Sequence, residues 1–251
     1  MIALISDLHS NMEAIEAVLA DIAGQGIDRI VCLGDVIGYG PEPVQALRLV
    51  EKFELCLRGN HEEAVLYVAE DFNDKAREAL DWTRDQLNDP ALPREDRYAL
   101  WGVLGDQMKV EHRLDSALLV HGSPRDPIRE YILPRDARDL VKMGEIFDKI
   151  PDRFCFVGHS HVPGIYPNSG GFLPPSALDG QYVPPQGVKV VVNVGSVGQP
   201  RDGDPRACYA TWDGAAVRFR RVEYDFRKTM EKIRQQAGLA DYLADRLEVG
   251  R

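Results

Sequence analysis

The sequence predicts an α/β fold in which helices cover a parallel sheet. Strand-like and helix-like patterns alternate over residues 1–60, a helical and charged segment follows at about 62–105, and strand patterns return near residue 117. A strand–helix–strand–helix–strand series favours parallel pairing with right-handed crossovers. Because no repeat, low-complexity tract or linker divides the chain, we expect one domain over residues 1–251 with a helical insertion at about 62–105.

The N-terminal part supplies the alternating elements. "MIALIS" is a short apolar run typical of a strand, and "NMEAIEAVLADIAGQG" places Ile15, Val18 and Ile22 at helical spacing with Gly24 near its end. "DRIVCLGD" predicts the second strand, "PEPVQALRLVEK" a helix that begins near Pro41, and "FELCLRGN" the third strand. The series indicates three neighbouring parallel strands.

The rest of the chain is first helical and then rich in strands. "DKAREALDWTRDQLND" and "REDRYALWGVLGD" predict two helices around Pro90 and Pro93. "ALLVHGSP" and "RFCFVGHSH" predict strands on either side of the helix "ARDLVKMGEIFDKI". "VKVVVNVGSVGQP", "ACYATWD" and "AVRFRRVEY" predict further strands, with a D-G hairpin turn between the last two. A helical stretch, "FRKTMEKIRQQAGLADYLADRLE", ends the pattern.

Composition limits the kinds of partner. The formal net charge of -10, without a compensating basic run, disfavours binding of long nucleic acids through their phosphates. No apolar run reaches the length of a membrane span, and the N-terminus lacks the features of a signal peptide. The four cysteines show no C-x-x-C spacing, which is typical of buried thiols in a reducing compartment. We therefore expect a cytoplasmic protein that binds no membrane.

Polar side chains recur directly after the predicted strands. In open parallel sheets the carboxyl ends of the strands form the crevice where ligands bind, so these residues are expected to converge. They include five of the six histidines. The residues are Asp7, His9, Asp35, Asn60, His61, His121, His159 and His161.

These side chains are of types that bind divalent ions through oxygen or imidazole nitrogen. Even seven of them are too many ligands for one ion that keeps an open position, so two ions are expected. Asp35, in the middle of the series, is suited to bridge them because a carboxylate has two oxygens. Two divalent ions with Asp7 and Asp35 leave a net positive site, which would attract a phosphoryl group despite the acidic chain. The ligand types suit Mn, Fe, Zn, Ni or Co, and Mn is our first expectation.

The order of these motifs resembles a known family. "DLH" at Asp7, "GD" at Asp35, "GNHE" at Asn60, "HG" at His121 and "GHSH" at His159 are similar to the five ordered motifs of the calcineurin-like metallophosphoesterases. The similarity extends to about residue 203, through "NVGSVGQPRDG", and favours the small bacterial phosphodiesterase-like branch. The resemblance implies a four-layer sandwich of two mixed β-sheets flanked by helices.

The resemblance also implies roles for individual residues. Asp7, His9 and His161 would bind one ion, and Asp35 would bridge the two. The second ion would be bound by Asn60, His121 and His159. His61 would not bind metal and would act as the general acid that protonates the leaving oxygen.

The resulting hypothesis is a phosphoesterase that hydrolyses small phosphodiesters or phosphomonoesters through direct attack by a metal-bridging hydroxide. Arg201 and Arg58 lie near the motifs and are candidates to bind substrate phosphate. A catalytically silent metal-binding scaffold and a nuclease remain alternatives. A Ser/Thr protein phosphatase is disfavoured because "VIGYG" follows Asp35 in place of Asp-Arg-Gly. The natural substrate and the oligomeric state stay open.

Overall fold

The computed structural model describes residues 1–69 and 72–251 of the chain. Within these residues it contains the following strands: β1 (Ile2–Ile5), β2 (Arg29–Cys32), β3 (Leu55–Cys56), β4 (Glu111–Leu114), β5 (Ala117–Val120), β6 (Phe154–Val157), β7 (Gly164–Pro167), β8 (Val190–Asn193), β9 (Ala207–Trp212) and β10 (Val217–Val222). The α-helices are α1 (Met12–Gly24), α2 (Pro43–Arg48), α3 (Asn60–Leu66), α4 (Asp74–Leu87), α5 (Arg94–Gly102), α6 (Leu140–Asp148), α7 (Phe226–Arg234) and α8 (Asp241–Val249).

The strands form two mixed sheets of five strands each. The first sheet has the order β10-β9-β1-β2-β3, and the second has the order β4-β5-β6-β8-β7. β1, β2 and β3 pair in parallel, as do β5, β6 and β8. Antiparallel strands complete each sheet on one or both sides of these parallel sets. In both sheets, the loops that follow the carboxyl ends of the parallel strands carry the predicted site residues.

The two sheets pack face to face through alternate residues of their strands. Leu4 and Val31 from the first sheet join Phe156 and Val192 from the second in one buried cluster, and Trp212 packs on the ring of Phe156. Because successive side chains of a strand point to opposite faces of the sheet, every second residue lies in this cluster and the others pack against helices. Such packing of two sheets is the interior of a β-sandwich.

Helices cover both outer faces. On the first sheet Ile5 packs with Ile15 of α1, and on the second Val157 packs with Ile146 of α6. The expected four-layer sandwich of two mixed sheets flanked by helices is confirmed. Residues 70 and 71 of the segment 62–105 lie outside the described part of the chain. The described residues of the segment carry most of α3 and all of α4 and α5, and they are helical there as predicted.

Three details differ from the sequence-based expectation. β4 was not predicted, because "EHRL" alternates exposed and partly buried residues at a sheet edge and lacks an apolar run. β7 was not predicted either, because "GIYP" is a short run between glycine and proline. The C-terminal helical stretch is divided into α7 and α8. The division falls near Gly238, whose Cα passes so close to the Trp82 ring that a Cβ there would overlap it. No helix within the described ranges is both long and apolar enough to cross a bilayer.

Candidate metal centre

The structure brings the predicted ligands together at the strand ends where the two sheets meet. Six of the seven, together with His61, are at most 3% exposed, and Asn60 is partly buried. Asp7 and His9 follow β1, and Asp35 follows β2. The remaining site residues begin α3 or follow β5 and β6: Asn60, His61, His121, His159 and His161. The convergence expected from the strand-end pattern is therefore observed.

Five of these residues have a left-handed backbone, which is unusual outside glycine. Their φ angles are 54° for Asp7, 46° for His9, 53° for Asp35, 63° for His159 and 58° for His161. Each such residue costs about 1–2 kcal/mol and persists only where its surroundings enforce it. Backbone bonds between neighbouring loops enforce it here, including the N–H of His9 to the carbonyl of Asp35 at 3.0 Å. The fold holds strained loops at one place, as is common at functional sites.

The ligand atoms fall into two groups that share one residue. Asp7, His9, Asp35 and His161 offer atoms that all lie within 4.8 Å of one another. Asp35, His121 and His159 form a second group of the same compactness. The Asn60 Oδ1 lies 3.1 Å from the Nε2 of His121 and so adjoins the second group. Asp35 is the point at which two neighbouring cation sites would meet.

The hydrogen bonds of the histidine rings determine which nitrogen faces inward. Each of the four rings has one nitrogen within hydrogen-bond distance of a backbone carbonyl, and a carbonyl can only accept. That nitrogen must carry the proton, so the other presents its lone pair to the centre, the arrangement of metal-binding histidines. The pairs are His9 Nδ1 with Ile37 at 3.2 Å, His121 Nδ1 with Leu33 at 3.0 Å, His159 Nε2 with Arg129 at 3.0 Å and His161 Nδ1 with Gln199 at 2.5 Å.

The inward atoms face one another at close range. His9 Nε2 lies 3.1 Å from His161 Nε2, and His121 Nε2 lies 3.2 Å from His159 Nδ1. Asp7 Oδ1 is buried, has no hydrogen-bond partner, and lies 3.1 Å from His161 Nε2. Closely spaced lone pairs repel unless a proton or a metal ion lies between them. The donor set therefore fits divalent metal ions.

The pKa values reflect the same balance of burial and charge. Burial would raise the pKa of Asp7 and Asp35, but the neighbouring histidines, first His161 for Asp7 and His121 for Asp35, hold both below their usual range. Burial lowers the pKa of His159 to about 3. Burial also opposes the protonation of His121, yet Asp35 outweighs it and raises the pKa of His121 to about 9. In the metal-free chain a proton on His121 thus offsets part of the carboxylate charge.

His61 lies beside the centre. Its Nε2 is 3.9 Å from Asp35 Oδ2, and its backbone N–H donates to Asp35 Oδ1 at 2.9 Å. The ring packs edge-on against Phe72 and Tyr39, at centroid distances of 5.0 and 4.4 Å. Burial lowers the pKa of His61 to about 4, with Asp35 opposing the shift. Free His61 is therefore neutral at pH 7.

The two candidate arginines occupy different environments. Arg201 lies in the loop after β8 and donates to the Gln199 side chain. Its guanidinium lies 6.0 Å from the Tyr39 ring, close to the ligand group of Asp7, His9 and His161. Arg58 instead donates to the backbone carbonyls of Leu104 and Gly105 at 3.2 and 3.1 Å. The structure thus places Arg201 beside the centre, whereas it uses Arg58 to attach the helical insertion.

Sequence reasoning missed Glu62, which is fully buried beneath the centre. Its carboxylate accepts backbone N–H groups from Asp35 at 2.9 Å, Ile37 at 3.1 Å and Gly59 at 2.8 Å. Burial raises the pKa of Glu62 to about 7, and Asp35 adds to the shift. Glu62 joins the loop of the shared ligand to the start of α3. A glutamate three residues after the helix cap Gly59, placed to accept the Gly59 backbone N–H, is the signal that could have indicated it.

Tyr131 was also missed. Its ring stacks on His159 with centroids 3.7 Å apart and an interplanar angle of 19°, and 42% of the residue stays exposed. Tyr131 and His159 line a cavity of about 320 Å³ together with Asn60 and residues of the insertion. The second ligand group thus opens to a space large enough for a small ligand.

Two mixed sheets flanked by helices, with buried Asp and His groups at the strand ends, define a metallophosphoesterase-like fold. The model of the calcineurin-like phosphoesterase superfamily domain matches residues 1–215. The chain belongs to this family, and the family together with the buried Asp and His groups indicates binding of divalent metal.

Individual relatives match the chain over its whole length. An uncharacterized protein of Methanocaldococcus jannaschii is 35% identical over 257 residues, covering 100% of this chain and 98% of that protein. The crystal structure of a metallophosphoesterase from Sphaerobacter thermophilus is similar with a TM-score of 0.80 and 37% identity, covering 100% and 98% of the two chains. A hypothetical protein of Pyrococcus horikoshii shares the fold with a TM-score of 0.74 at 20% identity, covering 100% and 99%.

Proposed function

We propose that the protein is a binuclear-metal phosphoesterase that hydrolyses small phosphodiesters or phosphomonoesters. The observation that carries this proposal is the pair of compact ligand groups with Asp35 in common. Asp7, His9 and His161 would hold one ion and Asp35 would bridge. Asn60, His121 and His159 would hold the other, as the hydrogen bond geometry of their side chains allows. Mn²⁺ is the first ion to test, with Fe, Zn, Ni and Co as alternatives.

Two such ions, when bound, supply positive charge for the phosphoryl oxygens and lower the pKa of water so that it can attack phosphorus. The chain's own part is to fix the ligands. Each of the four ligand histidines is oriented by a backbone carbonyl, and Asp35 is oriented by the His61 backbone N–H. No side chain is required as a nucleophile, so we expect no covalent phosphoenzyme.

His61 would protonate the leaving oxygen. It lies next to Asp35 without competing for a ligand position, and its ring is held between Tyr39 and Phe72. Because free His61 is neutral at pH 7, it must take up a proton from solvent when the substrate binds. A phosphate placed next to the ring adds the negative charge that stabilises the imidazolium form.

Arg201 would bind a phosphate oxygen on the side of the first ligand group. Its backbone N–H bonds to the carbonyl of His161 at 3.2 Å, which anchors it next to a ligand. Gln199 holds the Nε and Nη2 side of the guanidinium. Arg58 is committed to carbonyls of the insertion, so we do not propose it as a substrate ligand. The net charge of -10 favours a small ester over a long nucleic acid.

The test is hydrolysis of bis-p-nitrophenyl phosphate and p-nitrophenyl phosphate after chelation and return of Mn²⁺. We expect activity only with metal. For His61→Ala with metal binding retained, we expect a fall of about 10²- to 10⁴-fold in kcat on an alkyl phosphate ester and a much smaller fall on the nitrophenyl esters. His112→Ala is the matched control, because His112 lies on the edge strand β4.

Leaving-group dependence separates a general acid from a structural residue. His61→Ala should lose far more activity on an alkyl ester than on an ester of an acidic phenol, which departs without a proton. An equal loss on both would contradict the acid role. Metal-loaded wild type that cleaves neither nitrophenyl ester would favour the scaffold hypothesis.

A further inference from the structure

Three cationic side chains lie around two tyrosines beside the metal centre. The Arg201 guanidinium is 6.0 Å from the centroid of the Tyr39 ring. Arg246 of α8 and Lys75 of α4 both lie over the Tyr242 ring, with the guanidinium carbon 5.9 Å and the Nζ 4.8 Å from its centroid. Tyr39 and Tyr242 pack against the same apolar cluster, which is built mainly by α7 and α8. We call the three cations together the cationic rim.

Two of the rim cations are close enough to repel each other. Burial lowers the pKa of Arg246, and the charge of Arg201 lowers it further. The Nε of Arg246 donates to the Arg251 backbone carbonyl at 2.6 Å, and the guanidinium also bonds to the Tyr242 hydroxyl. Neither contact brings a side-chain carboxylate to Arg246.

The rim is unusual in this chain because its cations are unpaired. The net charge is -10, and many arginines form ion pairs, such as Arg221 with Asp202. Asp245, which precedes Arg246 in the sequence, pairs with Arg234 of α7 at 2.7 Å. In the described part of the chain, none of the three rim cations forms an ion pair with a side chain. Like charges held together without a counter-ion are unfavourable, so the rim fits an anion that comes from outside.

The rim adjoins the place where the leaving group would depart. The Tyr39 ring contacts the His61 ring at a centroid distance of 4.4 Å. Lys75 lies three residues after Phe72, whose ring contacts His61 at 5.0 Å. An alcohol that receives its proton from His61 therefore leaves next to Tyr39, around which the rim is arranged.

Arg201 joins the rim to the metal centre. It bonds to the Tyr131 hydroxyl at the cavity wall and to the Gln199 side chain. Burial lowers the pKa of His61 and His161, and the charge of Arg201 also lowers both, so Arg201 lies near both rings. Arg201 can thus reach the reacting phosphate, which leaves the other two rim cations for a second anionic group.

We propose that Arg246 and Lys75, together with Arg201, form a subsite for a second anionic group of the substrate, so that the enzyme prefers phosphate esters whose alcohol carries another phosphate. This inference rests on the proposed phosphoesterase function and names its substrate class. Free phosphate has the same chemistry as this group and needs a separate arm of the test.

The experiment compares alkyl phosphates with bisphosphates of the same carbon chain. Ethyl, propyl and butyl phosphate are set against the ethane, propane and butane bisphosphates that carry a phosphate at each end, with the methyl diesters run in parallel. The Mn²⁺-loaded full chain is used at constant free Mn²⁺, because bisphosphates bind the ion. We expect kcat/KM per ester bond to be about tenfold higher for the bisphosphate at the best-fitting chain length, through a lower KM.

Substitutions locate the source of this preference. Arg246→Gln and Lys75→Gln each remove one cation and should reduce the preference to about threefold, because each supplies about half of the effect. Arg227→Gln is the matched control. Arg227 also lies over an aromatic ring, 5.9 Å from the centroid of Phe226, and has no ion pair in the part of the chain that the structure describes. This variant should keep the tenfold preference.

The outcomes separate the inference from the function on which it rests. Equal kcat/KM for every pair in the wild type, or the same loss of preference in Arg227→Gln as in Arg246→Gln, would overturn the inference and leave the phosphoesterase function in place. If free inorganic phosphate accelerates hydrolysis of p-nitrophenyl phosphate in the wild type but not in Arg246→Gln, the rim serves a free ion and the substrate assignment is wrong. If the wild type hydrolyses neither alkyl nor nitrophenyl esters, the proposed function fails and this inference fails with it.

Discussion

Gly59 allows the shared ligand Asp35 to occupy its position, and Gly59→Ala should displace it. The backbone of Gly59 is extended, with φ -94° and ψ -177°, so alanine is allowed there on conformational grounds. The added Cβ, however, would overlap Asp35 Oδ1 and would lie 2.5 Å from Asp35 N and 2.8 Å from Asp35 Cγ. Carbon atoms prefer separations of about 3.5–4.0 Å, so the carboxylate must move by about 1 Å.

The expected cost follows from two contributions. Overpacking of a well-filled interior costs about 1–3 kcal/mol. The displaced carboxylate also loses the bond from the His61 backbone N–H, now 2.9 Å long, and a bond to a charged acceptor is worth about 1.5–3 kcal/mol. We expect a loss on the order of 4 kcal/mol in the free energy of unfolding. Since Asp35 belongs to both ligand groups, metal binding at both should weaken.

Urea unfolding with chelator present measures the first effect, and Mn²⁺ titration measures the second. Gly144→Ala is the control, because Gly144 lies within α6 and a Cβ there meets nothing within 4 Å. That substitution should raise stability by about 0.5–1 kcal/mol. If Gly59→Ala unfolds at the wild-type urea concentration and binds Mn²⁺ as the wild type does, the packing argument is wrong.

Two further substitutions test the surroundings of the centre. Glu62→Gln keeps the shape of the side chain but sets an NH₂ group against a backbone N–H donor, so it should lower stability by about 1–3 kcal/mol and weaken Mn²⁺ affinity; unchanged urea midpoint and affinity would refute the positioning role. Glu13→Gln removes two ion pairs between α1 and α7, to Lys232 at 2.6 Å and to Lys228 at 3.0 Å. Burial raises the pKa of Glu13, but Lys232 and Lys228 outweigh burial and lower it below 4.5. The carboxylate therefore stabilises the fold above its unfolded pKa, and that contribution is lost as the pH falls through the lower folded pKa. We expect Glu13→Gln to be about 1 kcal/mol less stable at pH 7 and nearly equal to wild type at pH 3 in urea unfolding; a difference that persists at pH 3 would contradict the ion-pair explanation.

The sequence allowed the convergence of the polar residues to be predicted because each follows a strand directly. The position of a residue at a strand end is local information, and parallel pairing then brings neighbouring strand ends together. Asp7 and Asp35 show this for the first sheet, and His121 and His159 for the second. That two sheets contribute to one centre came only from the resemblance to a family.

Other features depend on contacts between distant segments and could not be predicted. Tyr131 lies in a loop without regular structure, and only the folded chain stacks it on His159. Phe72 follows α3 at a position that has no motif, yet it contacts His61. Arg58 resembles a phosphate ligand by its place before "GN", but its Nη2 donates to carbonyls of the insertion and its Nη1 to Glu63. Loop packing, rather than local pattern, decides all three.

The measurement that tests the central claim most directly is the number of Mn²⁺ ions bound per chain. The protein is chelated, reloaded with Mn²⁺ and desalted, and its metal content is determined by inductively coupled plasma mass spectrometry. Two ions per chain are predicted for the wild type and for His112→Ala, and one for His121→Ala, which removes a ligand of the second group only. One ion or none in the wild type, or two ions in His121→Ala, would contradict a centre built from two groups that share Asp35.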